Sequence, residues 1–262
     1  MKFAFIVAGF LYMLSATSQA QTNRLDRIVS TKELRACIWP DYFGISYRNP
    51  KTQQLEGIDI DQALALAKDL GVALRFIDSS FAKLVDDLTQ DRCDIAMFAI
   101  GITPARAEKL RFTKPYLTSD IVAITTKSNR RIRSWADIDQ TGVVVSVAKG
   151  TLHEAVMRDK LKAATLVANA TPQGREQDVE SGRADVFMTD YPFSRRMLEQ
   201  TDWARLVSPP STYHLTSYAY AVSPGDDRWL ARVERFVADV KKDGRLAAAA
   251  KKHQLDPIVV RD

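Results

Sequence analysis

A small zwitterion offers a protein two handles, a carboxylate and an ammonium. The carboxylate calls for a guanidinium, which can bond both oxygens, and for backbone N–H groups at a helix start. Arg106 lies one turn beyond Thr103-Pro104, and proline suits the first turn of a helix. Arg106, the backbone of Gly101 and Thr103, and the helix start at Gly150-Thr151 are therefore candidates to surround one carboxylate. The ammonium calls for an acid at a strand end, and Asp190 closes a predicted strand. Each residue also has a plainer reading. Arg106 could be half of a surface salt bridge, and Asp190 a helix N-cap.

Other chemistries find less support. Two cysteines among 262 residues exclude a disulfide scaffold and a four-cysteine zinc site. Three histidines without an HExxH make a metal unexpected. No Walker motif, GxSxG or Rossmann fingerprint occurs, so no cofactor and no catalytic residue is assigned. The net charge of +5 is scattered except for Lys127 to Arg133, which reads as a solvated loop. Nucleic acid would call for a dense basic face with interleaved aromatics, so none is expected as a partner. Lys149 and His153 read as solvent-facing, and Asn169-Ala170-Thr171 as a chance glycosylation sequon. Cys37 and Cys93 sit at or beside predicted strands. In an oxidising compartment they could bond, given Cα atoms within about 7 Å, or remain two buried thiols.

The elements that must hold these residues alternate. Hydrophobic residues at 46% and charged residues at 26% exclude a mostly disordered chain. Leu34 to Trp39 reads as a strand, and Asp59 to Leu70 as a helix with Leu64, Ala67 and Leu70 on one stripe. Ala73 to Ile77 follows as a strand, then Phe81 to Leu88 as a helix and Asp94 to Phe98 as a buried strand. A second series has strands at 143–147, 165–168 and 185–188, with helices at 152–161, 173–180 and 191–199. Both series imply mainly parallel sheets flanked by helices. Asp120 to Thr126 and Tyr218 to Val222 are β-type runs suited to a hinge, and only helices are expected after the latter. A ligand would then sit in the cleft, at the carboxyl ends of the strands.

Residues 1–20 differ in kind. Lys2 precedes twelve apolar residues, Phe3 to Leu14, and Ser18-Gln19-Ala20 fits a small-x-small cleavage site. This reads as a secretory signal peptide cut after Ala20. The run is short for a membrane span of about 20 residues. No lipobox cysteine is present, since Cys37 lies well downstream. A periplasmic, unlipidated mature protein is expected. Losing Lys2 lowers its charge from +5 to +4.

Four motifs in order carry a resemblance. Gly57-Ile58-Asp59-Ile60-Asp61-Gln62-Ala63 looks like a Gly-apolar-acid-apolar-acid signature, with Gln62 departing at the last place. Its acids also suit the opening of a helix. Asp94 to Arg106 looks like a strand followed by an "(S/T)-I-T-x-x-R" turn, and Phe112 to Tyr116 like "F-S-x-P-Y". Gly150-Thr151 opens a helix, and Gly182 to Asp185 with Met188-Thr189-Asp190 looks like "G-x-x-D-A-x-x-x-D". From about Leu34 to His253 the chain resembles family 3 of the bacterial extracellular solute-binding proteins, the polar amino-acid receptors of ABC importers.

The resemblance implies a two-lobed type II periplasmic-binding-protein fold. Lobe 1 would be 24–121 plus 221–262 and lobe 2 would be 122–220, hinged near 120–126 and 218–222. It implies ligand roles for Arg106, Gly101, Thr103, Gly150, Thr151 and Asp190. It also matches Tyr42 to an aromatic that stacks on ligand, and Phe81 to a wall opposite. Trp39 stands where several basic or polar amino-acid receptors carry an acid, which argues against lysine or arginine as ligand, although Asp41 could substitute. An aromatic wall suits apolar or aromatic ligands and can stack a cation. Trp39 and Phe81 could equally be core. Gly101 and Leu152 stand where the family often has hydroxyl or small residues. The implied function is capture of a carboxylate-bearing ligand, an amino acid first, by a monomer that delivers it to the membrane permease of an ABC importer. The alternative is an enzyme of the cyclohexadienyl dehydratase type on the same fold. Such enzymes carry an acid shortly after the second-lobe Asp. Here that stretch is Tyr191-Pro192-Phe193, and Glu176 is the nearest other carboxylate.

Overall fold

The computed structural model describes residues 23–261, so the expected signal peptide lies outside the described residues. The chain opens with α1 (Arg24–Thr31), β1 (Glu33–Ile38), and a small antiparallel sheet of β2 (Asp41–Tyr42), β3 (Ser46–Arg48) and β4 (Leu55–Glu56). It continues through α2 (Ile58–Leu70), β5 (Ala73–Asp78), α3 (Leu84–Thr89), β6 (Ile95–Gly101), α4 (Pro104–Ala107), β7 (Arg111–Phe112) and β8 (Leu117–Ser119). Next come β9 (Val122–Thr126), β10 (Val144–Ala148), α5 (Leu152–Lys160), β11 (Thr165–Asn169), α6 (Pro172–Glu180), β12 (Val186–Thr189), α7 (Tyr191–Gln200) and β13 (Ala204–Val207). The last elements are β14 (Thr216–Val222), α8 (Asp227–Lys242) and α9 (Arg245–Lys252).

Two sheets organise these elements. The first runs β5-β1-β6-β14-β7, with β8 also on β14, and the second runs β11-β10-β12-β9-β13. In each, three strands are parallel: β5, β1 and β6 in the first, β11, β10 and β12 in the second. The return strands β14 and β9 are antiparallel to them. The alternating series thus forms two sheets flanked by helices, a mixed α/β architecture.

The chain passes between the sheets twice, at Asp120–Ile121 and between Val207 and Thr216. Tyr218 to Val222 belongs wholly to the first sheet, so the second passage lies upstream of that run. Asp120 ties the two passages together. Its carboxylate accepts the Ile121 amide at 2.8 Å, the Tyr213 amide at 2.8 Å and the His214 amide at 2.6 Å.

Several expectations need correction. The inward face of α2 is Ile60, Ala63, Leu66 and Ala67, whereas Leu64 is 53% exposed. Of the expected stripe, Ala67 is inward and Leu70 half-buried, and Leu64 alone stands outside, one residue or roughly 100° round the helix from Ala63. Phe81 precedes α3 rather than opening it, yet still packs on the core. Helices do not monopolise the C-terminus, because Val259 bridges Leu117 after a short 3-10 turn at Asp256–Ile258. The sequence reading also missed α1 and the β2–β4 sheet, both short. Asn23 caps α1 by accepting the Leu25 amide. Arg24 and Arg27 of α1, with Arg35, surround the buried Asp94. Burial pushes the Asp94 carboxyl up, but these hydrogen bonds outweigh it and hold the group below its ordinary range. The cysteine question resolves as a bond: Cys37 in β1 joins Cys93 beside β6, with Cα atoms 5.6 Å apart.

Candidate functional site

One cavity between the two sheets gathers most of the residues singled out by their chemistry. Trp39, Tyr42, Phe81, Gly101, Arg106, Thr151 and Asp190 all line it, around about 360 Å³ of free space that includes its mouth. The parallel strands explain the convergence. Trp39 follows β1, Gly101 ends β6, Thr151 stands just past β10, and Asp190 follows β12. The cavity is therefore built from strand carboxyl ends, as open α/β sheets favour.

The aromatic wall is a packed cluster. Trp39 meets Tyr42 at 5.3 Å and Phe81 at 5.0 Å between ring centroids, both edge-on. Phe81 in turn packs on Phe98 at 5.0 Å. Trp39 and Tyr42 belong to the core and line the cavity as well, so core and pocket readings merge for this wall.

Arg106 is 9% exposed and has no carboxylate partner. Its Nη1 donates to the Gly101 carbonyl at 2.9 Å, and its Nη2 to the Gly150 carbonyl at 3.1 Å. The guanidinium also stands 5.2 Å from the centre of the Phe81 ring. Burial pulls its pKa down to about 10, so it remains a cation at neutral pH. The surface salt-bridge reading thus fails for Arg106. Thr103 does not line the cavity. Its hydroxyl caps α4 by accepting the Arg106 amide at 3.2 Å, which sets the turn that aims Arg106 inward. Gly150 offers its carbonyl rather than its amide, because the amide already donates to Glu154 at 2.7 Å.

The two departures at Gly101 and Leu152 fit each other. A Cβ on Gly101 would stand 3.1 Å from Thr216, 3.6 Å from Leu152 and 3.7 Å from Arg106 Nη1. Only the approach to Thr216 is tight, and the other two are ordinary contact distances. Leucine at 152 fills the volume that a smaller residue would leave for a side chain at 101.

Asp190 is 2% exposed and heavily engaged. Oδ2 accepts the hydroxyls of Tyr42 and Tyr218, the latter at 2.8 Å, and Oδ1 accepts the Phe193 amide at 3.3 Å. The N-cap role and the cavity role therefore coincide. Burial, then the neighbouring Asp190 carboxylate, pushes both tyrosines well above the usual phenol range. They act as neutral donors to an acid.

Several cavity-lining residues escaped the sequence reading, His153, Arg175, Thr189 and Tyr218 among them. His153 was expected in solvent but is 7% exposed, and both ring nitrogens lack a partner. Burial lowers its pKa to about 4, against a smaller opposite pull from the nearby Asp190. The imidazole is neutral at pH 7. Arg175 of α6 is 2% exposed and lines the cavity. It donates to the Met188 carbonyl at 3.0 Å and stacks on Phe193 at 4.2 Å and Phe187 at 5.0 Å. Its Nε has no partner, and burial brings its pKa down to about 10. Thr189 is fully buried, lines the cavity, and has an unpartnered hydroxyl. A signal for Arg175 existed: it stands four residues before the buried Val179, on the inward stripe of α6. Tyr218 had no such signal, since the alternation of β14 breaks at a register shift between Ala219 and Ala221.

Glu176 does not line the cavity and pairs with Arg196 at 3.4 Å. Asp190 is then the one carboxylate among the described residues lining the cavity.

Comparison with known proteins gives a consistent picture. The family model for bacterial extracellular solute-binding proteins, family 3, matches residues 34–256. The cyclohexadienyl dehydratase of Pseudomonas aeruginosa is 32% identical over 92% of this chain and 89% of the relative. The L-cystine-binding protein of Escherichia coli strain K12 is 26% identical over 94% of this chain and 90% of the relative. Among solved structures, an ancestral amino acid-binding protein described as a precursor of cyclohexadienyl dehydratase is 30% identical, with a TM-score of 0.80. That match covers 87% of this chain and 98% of the ancestral one.

Proposed function

The chain belongs to family 3 of the bacterial extracellular solute-binding proteins, and on that footing we propose that it captures a small carboxylate-bearing ligand, an amino acid first, by lobe closure. In this reading lobe 1 comprises 24–120 plus 216–261, because β14 pairs within the first sheet, lobe 2 comprises 121–215, and the chain bends near its two passages between sheets. Arg106 holds the carboxylate from lobe 1, beside the helix start at Thr151. Asp190 meets an ammonium from lobe 2, and Trp39, Tyr42 and Phe81 form the wall. The protein works as a periplasmic monomer after loss of its signal peptide, and hands its cargo to the permease of an ABC importer. A ligand that touches both lobes favours the closed state by its differential contacts alone.

One observation carries this reading. Arg106 is a buried cation at the cavity wall whose two side-chain hydrogen bonds go to backbone carbonyls and to no acid. A buried charge without a counter-ion is costly, and an anionic ligand supplies the missing partner. We expect Arg106→Ala to weaken carboxylate binding at least a hundredfold in a titration calorimeter, with its melting temperature kept within a few degrees. Unchanged affinity would defeat the assignment.

A dehydratase is the second reading, supported by the 32% identity to the Pseudomonas enzyme. It needs a general acid near the departing hydroxide. Asp190 already accepts from two tyrosines and the Phe193 amide, and Phe193 stands three residues beyond it, where no acid follows. Purified protein incubated with prephenate or arogenate should leave both unchanged. Formation of an aromatic product, lost in Asp190→Asn, would move the assignment to the enzyme.

A further inference from the structure

We propose that Arg175 makes this a site for a ligand bearing a second acidic group, so that dicarboxylates, acidic amino acids among them, are held in preference to neutral or cationic amino acids. The inference rests on the capture reading above and specifies its cargo. Charge balance is its first support. The acidic and basic side chains lining the cavity are Arg106, Arg175 and Asp190, with His153 neutral. Two guanidinium groups against one carboxyl group leave an excess of positive charge in the cavity wall. A neutral zwitterion would leave that excess in place, and a ligand with a side-chain ammonium or guanidinium would double it. A ligand of net charge −1 removes it.

Hydrogen-bonding capacity is the second support, and it is independent of charge. Arg175 Nε, the Thr189 hydroxyl and both His153 nitrogens are buried without protein partners. Arg175 and Thr189 each have an N–H or O–H to give, and the neutral imidazole carries one N–H. A cluster rich in donors is complementary to a group that only accepts, and a carboxylate is such a group. Glu176 lies outside the cavity and offsets part of the Arg175 charge through space, but its carboxylate pairs with Arg196 at 3.4 Å and leaves Arg175 Nε without a partner. Asp190 turns three of its roughly four acceptor sites to Tyr42, Tyr218 and the Phe193 amide, which leaves one for the ligand's ammonium.

Placement is the third support. Arg106 reaches the cavity from the turn after β6 in the first sheet, and Arg175 from α6, which packs on the second. A ligand with an acid at each end would contact one guanidinium from each side. The rings of Phe187 and Phe193 hold the Arg175 plane in position, so little ordering is needed on binding.

The test is calorimetric titration of the ligand-stripped protein with L-glutamate, L-glutamine, succinate and L-arginine. Glutamate and glutamine have nearly the same shape, so their affinity ratio isolates the second charge. We expect glutamate or succinate to bind about tenfold or more tightly than glutamine, the usual worth of a charge-assisted hydrogen bond, and arginine not to bind. In Arg175→Met the preference for an acid over glutamine should vanish, while Arg106→Ala should weaken every ligand. Arg175→Lys keeps the charge and should retain part of the preference. Glutamine or arginine binding as tightly as the acids, in the unmodified protein, overturns the inference whether or not any variant folds. If neutral amino acids bind and Arg106→Ala abolishes that binding, the inference fails and the capture reading survives. If none of the four binds, both fail.

Discussion

At the scale of single residues, the site is defined by which polar groups are left over once the protein has satisfied itself. Asp190 accepts from two phenols and an amide, whereas Arg175 Nε and the Thr189 hydroxyl keep donors without a protein partner at the cavity wall. His153 has a testable thermodynamic signature. Its pKa is about 4 in the fold and near 6.5 in the unfolded chain. Between those values the unfolded state binds more protons, so this group's contribution is full above about pH 6.5 and is lost as pH falls toward 4. The loss amounts to roughly 3 kcal/mol. Asp59 acts in the opposite sense. Its carboxyl, pushed up to about 7 by burial, takes up protons on folding, so its contribution fades as pH rises from about 4 to 7. The two partly cancel in the native protein. Urea unfolding of His153→Leu should therefore show stability that increases from pH 7 to pH 5 relative to the native chain. Parallel curves would mean that the imidazole titrates alike in the folded and the unfolded chain.

At the scale of elements, two acids hold the backbone around the cavity. Asp59 opens α2 but does not cap it. It points inward, accepting the Ala99 amide at 2.8 Å and the hydroxyls of Tyr116 at 2.6 Å and Tyr220 at 3.0 Å. Ala99 has a φ of +47°, a conformation rare for a residue with a Cβ, and it lines the cavity. The first acid of the Gly57–Ala63 signature thus supports a strained point in β6 rather than a helix end. Asp120 plays the corresponding part where the chain passes between sheets. Three backbone amides depend on its carboxylate, two of them from the other passage. Asp120→Ala should cost about 2–4 kcal/mol, as buried or half-buried donors lose a charged acceptor. Faster hydrogen exchange at the Tyr213 and His214 amides would locate the effect, and unaltered exchange there would contradict it.

At the scale of the whole molecule, the two sides of the cavity are in contact. Tyr42 reaches Asp190, Arg106 reaches the Gly150 carbonyl, Gln173 reaches Asp41 at 3.2 Å, and Arg195 reaches Gln254. The closest backbone approach is at Gly150. Its φ is +78°, and a Cβ there would stand 2.7 Å from the Ala82 Cα and amide nitrogen. Any side chain at 150 is strained in its own backbone and collides with the opposite wall. Gly150→Ala should therefore hold the two sides apart and weaken ligand binding tenfold or more, although residue 150 donates no group to the ligand. Small-angle scattering with saturating ligand should show a larger radius of gyration than for the native protein. Equal radii and equal affinities would show that closure does not depend on this contact.

Local order was legible in the amino-acid sequence because it rests on short-range physics. Apolar runs, capping residues and glycines placed the parallel strands and their helices within one to three residues, and motif spacing pointed Arg106, Asp190 and the aromatic wall to one cleft. Phase within a helix was harder, since Leu64 and Ala63 differ by a single step round the axis. What only the tertiary structure decided was the company each side chain keeps. Burial of His153 and Arg175 depends on α5 and α6 facing the same cavity across β10 and β12, contacts between segments far apart in the chain. The Cys37–Cys93 bond required two strands to be neighbours. The capping of Asp190 by Tyr42 and Tyr218 joins residues 148 and 28 positions away. Hydrogen-bond satisfaction and the loss of solvent are properties of such meetings, and no window of sequence contains both partners.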